Sequence, residues 1–249
     1  MTSVLIVIPA RTGSQRIPQK NLALLAGVPL ITRTAADALD VHHLWADVDV
    51  CISSDRPEVY QGAVDYSKII PVHRPDAISG PTADISEAVR HATEIVEREN
   101  QRQYDLVVTL QPAVPARSPS LIRQAILAAA GCGGSAITMA KGCPWTWTVD
   151  EAGNARNRWH PGPYPRSQDE PHHLQEVNAI TVTHRDTVAA GRRWDLPLAI
   201  LVLPPWAVAL DIDEPQDLAT AERIWPVARP CLEAWQAQVI GARNLEVMA

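Results

Sequence analysis

Three cations follow one apolar strand. Val4–Pro9 is an uninterrupted apolar run, and the residues after it include Arg11, Arg16 and Lys20, with Gly13 and Pro18 among them. In an open α/β sheet, ligands bind beyond the carboxyl ends of the strands, so a cationic loop in that place reads as a polyanion site. Arg forks and a Lys ammonium are natural partners for a triphosphate. The loop has neither the GxxxxGK[ST] nor the GxGxxG spacing, so side-chain charge must do more here than backbone amides alone. Gly13 reads as letting the backbone turn close to a ligand, and Pro18 as stiffening its return. The same residues would also suit a solvated basic turn.

A second cluster is Leu210-Asp211-Ile212-Asp213, after the apolar run Trp206–Leu210. If that run is a strand, Asp211 and Asp213 share one face and Ile212 turns to the core. Two carboxylates on one face make a hard-oxygen site suited to Mg²⁺. Asp213 also reads as a helix N-cap, with Pro215 and Gln216 behind it. Asp211 has no such structural role and ranks higher as a metal ligand. Gln111 closes another apolar run, where an amide suits hydrogen bonding to a substrate. Arg74 ends a short strand, with Ser79 and Gly80 close behind; Arg117 could pair with an acidic substrate, but a surface Arg flanking a helix is the more common case. His172-His173 have no third ligand at metal-site spacing.

The elements that must position these residues alternate between strand and helix patterns. Strands are expected at Val4–Pro9, Ala46–Ile52, Lys68–Val72, Leu106–Leu110, Ser135–Ala140, Val177–Thr183, Leu198–Leu203 and Trp206–Leu210. Helices are expected at Pro29–Leu44, at Asp84–Asn100 with an Asp84/Glu87 capping box, from Ser118-Pro119 to Gly131, at Glu214–Trp225 before Pro226, and at Leu232–Val247. Uninterrupted apolar strands between helices imply an α/β fold with a mostly parallel sheet covered on both faces. Residues 142–176 break the pattern with five prolines and three tryptophans. That stretch is too long for a plain connector and reads as a lid, a small lobe or a dimerisation arm.

The chain of 249 residues is long enough for one large domain, and no linker divides it. Its net charge of −6 argues against general nucleic-acid binding. The four cysteines form no CxxC pair, which argues against zinc. No apolar run reaches membrane-spanning length. Met1-Thr2-Ser3 leads straight into a strand without a basic leader, so a soluble cytoplasmic protein is expected.

The segment IPARTGSQRIPQKNL resembles the signature of the acylneuraminate (CMP-sialic acid synthetase-like) cytidylyltransferases, which join CMP to acidic nine-carbon sugars and have relatives acting on 3-deoxy-octulosonate. The likeness continues along most of the chain. ISSDRPEV resembles an STDD-type strand end, HRPDAISGPTADISEAV the RP segment and its helix, LQPAVPAR the LQPTSPLR element, RSQDEP an RxQDxP element, and DIDEPQDLATAE the DIDT-type segment. The resemblance implies a single Rossmann-like nucleotidyltransferase domain over residues 1–249, a homodimer, CTP and an acidic small-molecule acceptor as substrates, and Mg²⁺. It implies nucleotide contacts at Ala10, Arg11, Ser14, Arg16, Asn21, Arg74, Ser79 and Gly80, and acceptor contacts at Gln111, Arg166 and Gln168. It assigns the metal to Asp211 and Asp213, and catalytic roles to Arg11, Lys20 and Asp211.

Departures fall mainly on the acceptor side. Gln15 stands where the family commonly has Lys, Pro81 where it often has Asp, and Ala113-Val114 where it has Thr-Ser; Val177-Asn178 stand near the family's Asn-Gly. Losing hydroxyl donors shifts specificity more than losing a methylene. The expected acceptors therefore run from pseudaminic or legionaminic-type sugars and octulosonates to a phosphonate of a natural-product pathway. A non-catalytic nucleotide-binding protein of the same fold is the rival reading; the paired carboxylates argue against it.

Overall fold

The structure, a computed structural model, describes residues 2–142, 146–157 and 173–242. In β1 (Val4–Pro9), Val4, Ile6 and Ile8 pack into one apolar layer and Leu5 and Val7 into the other, so both faces of the strand are buried. A short hairpin follows, β2 (Leu24–Leu25) and β3 (Val28–Pro29), then α1 (Leu30–Asp40), β4 (Val48–Ser54), β5 (Ile70–His73), α2 (Ile85–Asn100), β6 (Leu106–Thr109), α3 (Pro119–Cys132) and β7 (Ser135–Lys141). β8 (Trp147–Val149) and β9 (Ala155–Asn157) pair as a separate hairpin. β10 (Leu174–His184), α4 (Arg185–Ala189), β11 (Leu198–Leu203), α5 (Pro215–Ala234) and β12 (Gln238–Ala242) complete the described chain.

The main sheet has the order β12-β11-β7-β10-β6-β1-β4-β5. β1 runs parallel to β4 and β6, β4 to β5, and β7 to β11. β10 and β12 run antiparallel to their neighbours. The mostly parallel sheet with helices on both faces is the expected fold class: α1, α3 and α5 contribute to one apolar layer, α2 and α4 to the other. From β1 the chain winds outward through β4 to β5, then returns to place β6 on the other side of β1. The carboxyl ends of β1 and β6 therefore flank a topological switch point, the usual ligand crevice of such sheets.

Several local expectations are corrected. Trp206–Leu210 is not a strand; Pro205–Leu210 is a 3-10 turn. Pro204 and Pro205 cannot donate to a sheet ladder, and a proline fits the first helical turn. α5 does not stop at Pro226 but runs through Pro226 and Pro230 to Ala234. Ala221, Trp225, Ala228 and Leu232 form a buried stripe at helical spacing, and its burial outweighs the lost backbone bonds. No helix covers Leu232–Val247 as a whole: past Ala234 the described chain leaves the helix and pairs Gln238–Ala242 with β11. α3 is closed by Gly133 in the left-handed conformation, not by Gly131. Asp84 caps α2 by accepting from the Ser86 amide, without the reciprocal Glu87 bond.

Two adjacent glycines differ in what they require. Gly133 has φ +69° with open space around it, whereas a Cβ on Gly134 would lie 1.9 Å from the Pro197 carbonyl oxygen. Gly134→Ala is expected to cost about 2–3 kcal/mol through backbone displacement, and Gly133→Ala about 1 kcal/mol through the left-handed φ. Urea unfolding of both variants measures the difference; equal losses would contradict the close approach at Gly134.

Candidate active site

The loops after β1, β5 and β6, with Asp213 from the segment before α5, meet at the carboxyl edge of the sheet around a cleft of about 380 Å³. Arg11, Arg16, Lys20 and Arg74 line it, with Ser14, Gln111, Ala113 and Asp213 among the other walls. Residues far apart in sequence thus gather where the sheet topology opens.

The opening loop is held by its backbone. Asn21, almost fully buried, donates from Nδ2 to the Arg11 carbonyl at 2.9 Å and to the Tyr60 hydroxyl at 3.1 Å. Tyr60 donates to the Ala10 carbonyl at 3.1 Å, and the Ala10 amide donates to the Ser53 carbonyl at 2.9 Å. Ala10 is itself fully buried. Of the two expected nucleotide contacts, Ala10 lies behind the cleft and holds the loop through its backbone, whereas Asn21 holds the loop and also lines the cleft. On its outer side Asp55 accepts from the Thr12 amide at 2.8 Å and the Thr12 hydroxyl at 2.6 Å. Ile17 anchors the middle of the loop in the core. Gly13 has open space around it and needs no positive φ; the left-handed residue of the loop is Gln19, at φ 50°. The expected need for a glycine at position 13 is therefore not a steric one in this conformation.

The cations fall into two groups. On one side Arg11 donates from Nη1 to the Gly80 carbonyl at 2.6 Å, tying the opening loop to the segment after β5. Arg74 lies beside it, buried, and its Nε and Nη2 have no hydrogen-bond partner. Burial lowers the pKa of this guanidinium, the Asp55 charge opposes that, and the Arg11 charge adds to it. A buried guanidinium with two unpartnered donors beside a cleft suits an acceptor-rich ligand. Ser79 donates its hydroxyl to the Pro75 carbonyl at 2.8 Å and does not line the cleft.

On the other side Lys20 donates to Asp213 Oδ1 at 2.8 Å and to the Ile212 carbonyl at 3.0 Å, and Arg16 lies 3.6 Å from Asp213 Oδ2. Asp213 is not the N-cap of α5. Glu214 is, and it makes a capping box with Asp217, whose carboxylate also accepts from the Asp213 amide. That leaves the Asp213 carboxylate to face the cations. Ile212 is fully buried while Asp211 and Asp213 are exposed, so the alternation expected of a strand holds in an extended, non-strand segment.

The two carboxylates differ. The hydrogen bond from Lys20 holds Asp213 below its ordinary pKa. Asp211 reaches solvent, yet the protein packed around its carboxyl and the charge of Asp213 push its pKa up. No hydrogen bond from the described residues reaches the Asp211 carboxylate. Both carboxylates are hard-oxygen donors of the kind that suits a divalent cation such as Mg²⁺; Asp213 lines the cleft, and Asp211 stands outside its lining. No group of three or more His, Cys, Asp or Glu among the described residues could complete a metal site. Phosphate oxygens and water would supply the other ligands.

Gln111 lines the cleft, and Arg117 behind it overturns the sequence expectation: it is fully buried, not a surface residue. Asn178 lies where β10 changes register against β7, and accepts from Arg193. Arg166, Gln168 and His172 lie outside the described residues. Sequence reading did not single out Thr12, Tyr60, Asp37 or Arg229. Asp55 stood in the quoted ISSDRPEV segment, but its partner Thr12 is 43 positions away.

Residues 5–133 match the cytidylyltransferase family. The chain belongs to that family. It is 27% identical to the CMP-N,N'-diacetyllegionaminic acid synthase of Legionella pneumophila, over 92% of this chain and 99% of that protein. A shorter match, 35% identical, covers 49% of this chain and 50% of a pseudaminic acid cytidylyltransferase of Campylobacter jejuni. Among solved structures, a CMP:2-keto-3-deoxy-manno-octonic acid synthetase complexed with CTP aligns with a TM-score of 0.61 at 21% identity, covering 90% of this chain and 99% of that one; it bears on the fold.

Asp55 gives this site a pH signature. Burial alone would raise its pKa from the ordinary 3.8, but the Thr12 hydroxyl and amide bonds outweigh burial and lower it. Its contribution is full above the ordinary carboxylate pKa and is lost as pH falls through the depressed folded value. Asp55→Asn, which can accept from only one of the two Thr12 donors without a clash of donors, is expected to cost about 1–2 kcal/mol. The gap between wild type and variant should shrink toward acid pH. Thermal unfolding across that range measures it; a gap independent of pH would remove Asp55 from the account of the loop.

Proposed function

We propose that this protein transfers CMP from CTP to an acidic sugar of the nonulosonic or octulosonic type and releases pyrophosphate. The observation that carries this reading is Arg74: a buried guanidinium with Nε and Nη2 unpartnered, beside Arg11 in a cleft that Arg16 and Lys20 also line. Such a cleft favours a densely anionic ligand with a hydrogen-bonding base. The named relatives, enzymes of legionaminic and pseudaminic acid, support the acceptor class.

In the proposed reaction the acceptor oxygen attacks the α-phosphorus of CTP, the bond to the bridging oxygen breaks, and pyrophosphate departs. Arg11 and Lys20, with Arg16, offset the triphosphate charge as it shifts toward the leaving group. Ser14 and Arg74 belong to the nucleotide side of the cleft. Gln111, with Arg166 and Gln168, belongs to the acceptor side. Asp211 and Asp213 would hold Mg²⁺, which when bound orients the phosphates and withdraws charge. Lys20 and Arg16 neutralise Asp213 in the free protein, so this one carboxylate is already balanced before the ligand arrives.

Residues 1–249 are read as one nucleotidyltransferase domain acting as a homodimer, with residues 142–176 as its arm. On that arm Trp147 is 53% and Val149 67% exposed, neighbours on one short hairpin. Apolar surface of this kind is costly in water and common in interface cores.

The chemical reading is tested by pyrophosphate release from CTP and Mg²⁺ across an acceptor panel of nonulosonic acids, an octulosonate and a phosphonate. An acidic sugar should give the highest turnover. Arg74→Met should weaken CTP binding about 10–100-fold in calorimetry, and Asp211→Asn should lower turnover at limiting Mg²⁺ by at least about tenfold. Unchanged CTP affinity in the first, or unchanged kinetics in the second, would refute the assigned role. The assembly is tested by light scattering: the intact protein should be a dimer, and Trp147→Ser with Val149→Ser should shift it toward monomer. A well-folded wild-type monomer at micromolar concentration would defeat it.

A further inference from the structure

The buried Arg117 does not line the cleft, yet it holds the backbone of the wall that carries Gln111 and Ala113. Its Nη1 donates to the Gln111 carbonyl at 2.9 Å and the Val114 carbonyl at 2.6 Å, and its Nη2 donates to the Thr34 hydroxyl. Its Nε lies 3.7 Å from Asp37 Oδ2. Arg229 pairs with the other Asp37 oxygen at 2.8 Å. The turn thus gripped carries Gln111 and Ala113 on the cleft wall. The Ala113 carbonyl accepts from the Ile212 amide at 2.9 Å, and the Ile212 carbonyl accepts from Lys20. One chain of contacts therefore runs from the guanidinium, through the turn, to the residue between Asp211 and Asp213, and on to Lys20.

We infer that Arg117 is a positioning residue for the transfer reaction, acting through the 111–114 turn to set Gln111 and the Asp211–Asp213 segment relative to one another. The inference rests on the proposed reaction for what is being positioned. A guanidinium suits the task because its donors form a rigid planar fork that reaches two carbonyls and a hydroxyl together while its charge lies beside Asp37; an ammonium is a single compact point. Arg74 and Arg11, on the nucleotide side, are outside this chain of contacts. Loss of the fork should therefore act on the chemical step more than on CTP binding, since small misplacements of reacting groups are costly in rate.

The test compares Arg117→Lys with Arg229→Lys. The first keeps the charge beside Asp37 and loses the fork; the second alters the same ion network without touching the Gln111 and Val114 carbonyls. Thr34→Val, which removes only the hydroxyl partner of Nη2, serves if Arg117→Lys does not fold. Two quantities are read: steady-state transfer, split into kcat and the KM for CTP, and hydrogen exchange at the Ile212 amide. Arg117→Lys is expected to lower kcat by about ten- to hundredfold with the KM for CTP within about threefold of wild type, and to speed exchange at Ile212. Arg229→Lys is expected to lower stability only. Unchanged kcat, or unchanged exchange at Ile212, in the fork variants would overturn the inference, and so would equal kinetic loss in Arg229→Lys. If wild type turns over no acceptor while Arg117→Lys still loosens Ile212, the proposed reaction falls and the mechanical link stands.

Discussion

A single buried charge organises the carboxyl edge of this sheet. Arg117 is fully desolvated, and burial lowers its pKa to about 10, so it stays protonated at neutral pH. A buried cation is tolerable only if paired and hydrogen-bonded. Asp37 on α1 supplies the charge, and the turn after β6 supplies carbonyls. Removing one member of such a pair typically costs about 3–5 kcal/mol, because the other is left buried and unmatched. α1, α3 and α5 are thereby committed to one arrangement, since Arg229 and Glu233 on α5 extend the network outward.

The opening loop follows a different logic. Its fixed points are backbone groups: the carbonyls of Ala10 and Arg11 on Tyr60 and Asn21, and the amide of Thr12 on Asp55. Because those polar groups are satisfied inside the protein, the side chains of Arg16 and Lys20 are left facing the cleft. Satisfied backbone groups below and cations held on Asp213 above are what preorganised electrostatics requires: the charges are fixed before the ligand arrives, so little reorganisation remains during reaction.

The two sides of the cleft are unequally kept relative to the family signature. The side proposed for the nucleotide has Arg11, Arg74 and Lys20 in place, and Gln15, an exposed cleft residue, is its main departure. On the acceptor side, Ala113 lines the cleft and Val114 is buried where hydroxyl residues are usual. Val114 nonetheless keeps a role through its carbonyl, which Arg117 holds whatever the side chain. The backbone frame of the acceptor side is therefore independent of the substitution that changes its surface chemistry.

Sequence alone determined the strand–helix alternation, the mostly parallel sheet and the cationic loop after β1, because local apolar periodicity and loop position depend on neighbouring residues. It also determined the exposure of Asp211 and Asp213 on either side of buried Ile212, since any extended backbone alternates its side chains. Where several local answers were nearly equal, only the tertiary structure decided. Trp206–Leu210 had a strand's composition but became a 3-10 turn once its prolines led it out of the sheet. Gly131 suited a helix end, but the chain turns left-handed two residues later at Gly133, and Gly134 then packs against Pro197. Arg117 looked like a surface residue because its partners, Thr34 and Asp37, are more than 75 positions away. A long-range charge pair leaves no mark in local spacing, and its burial exists only when three helices close over it.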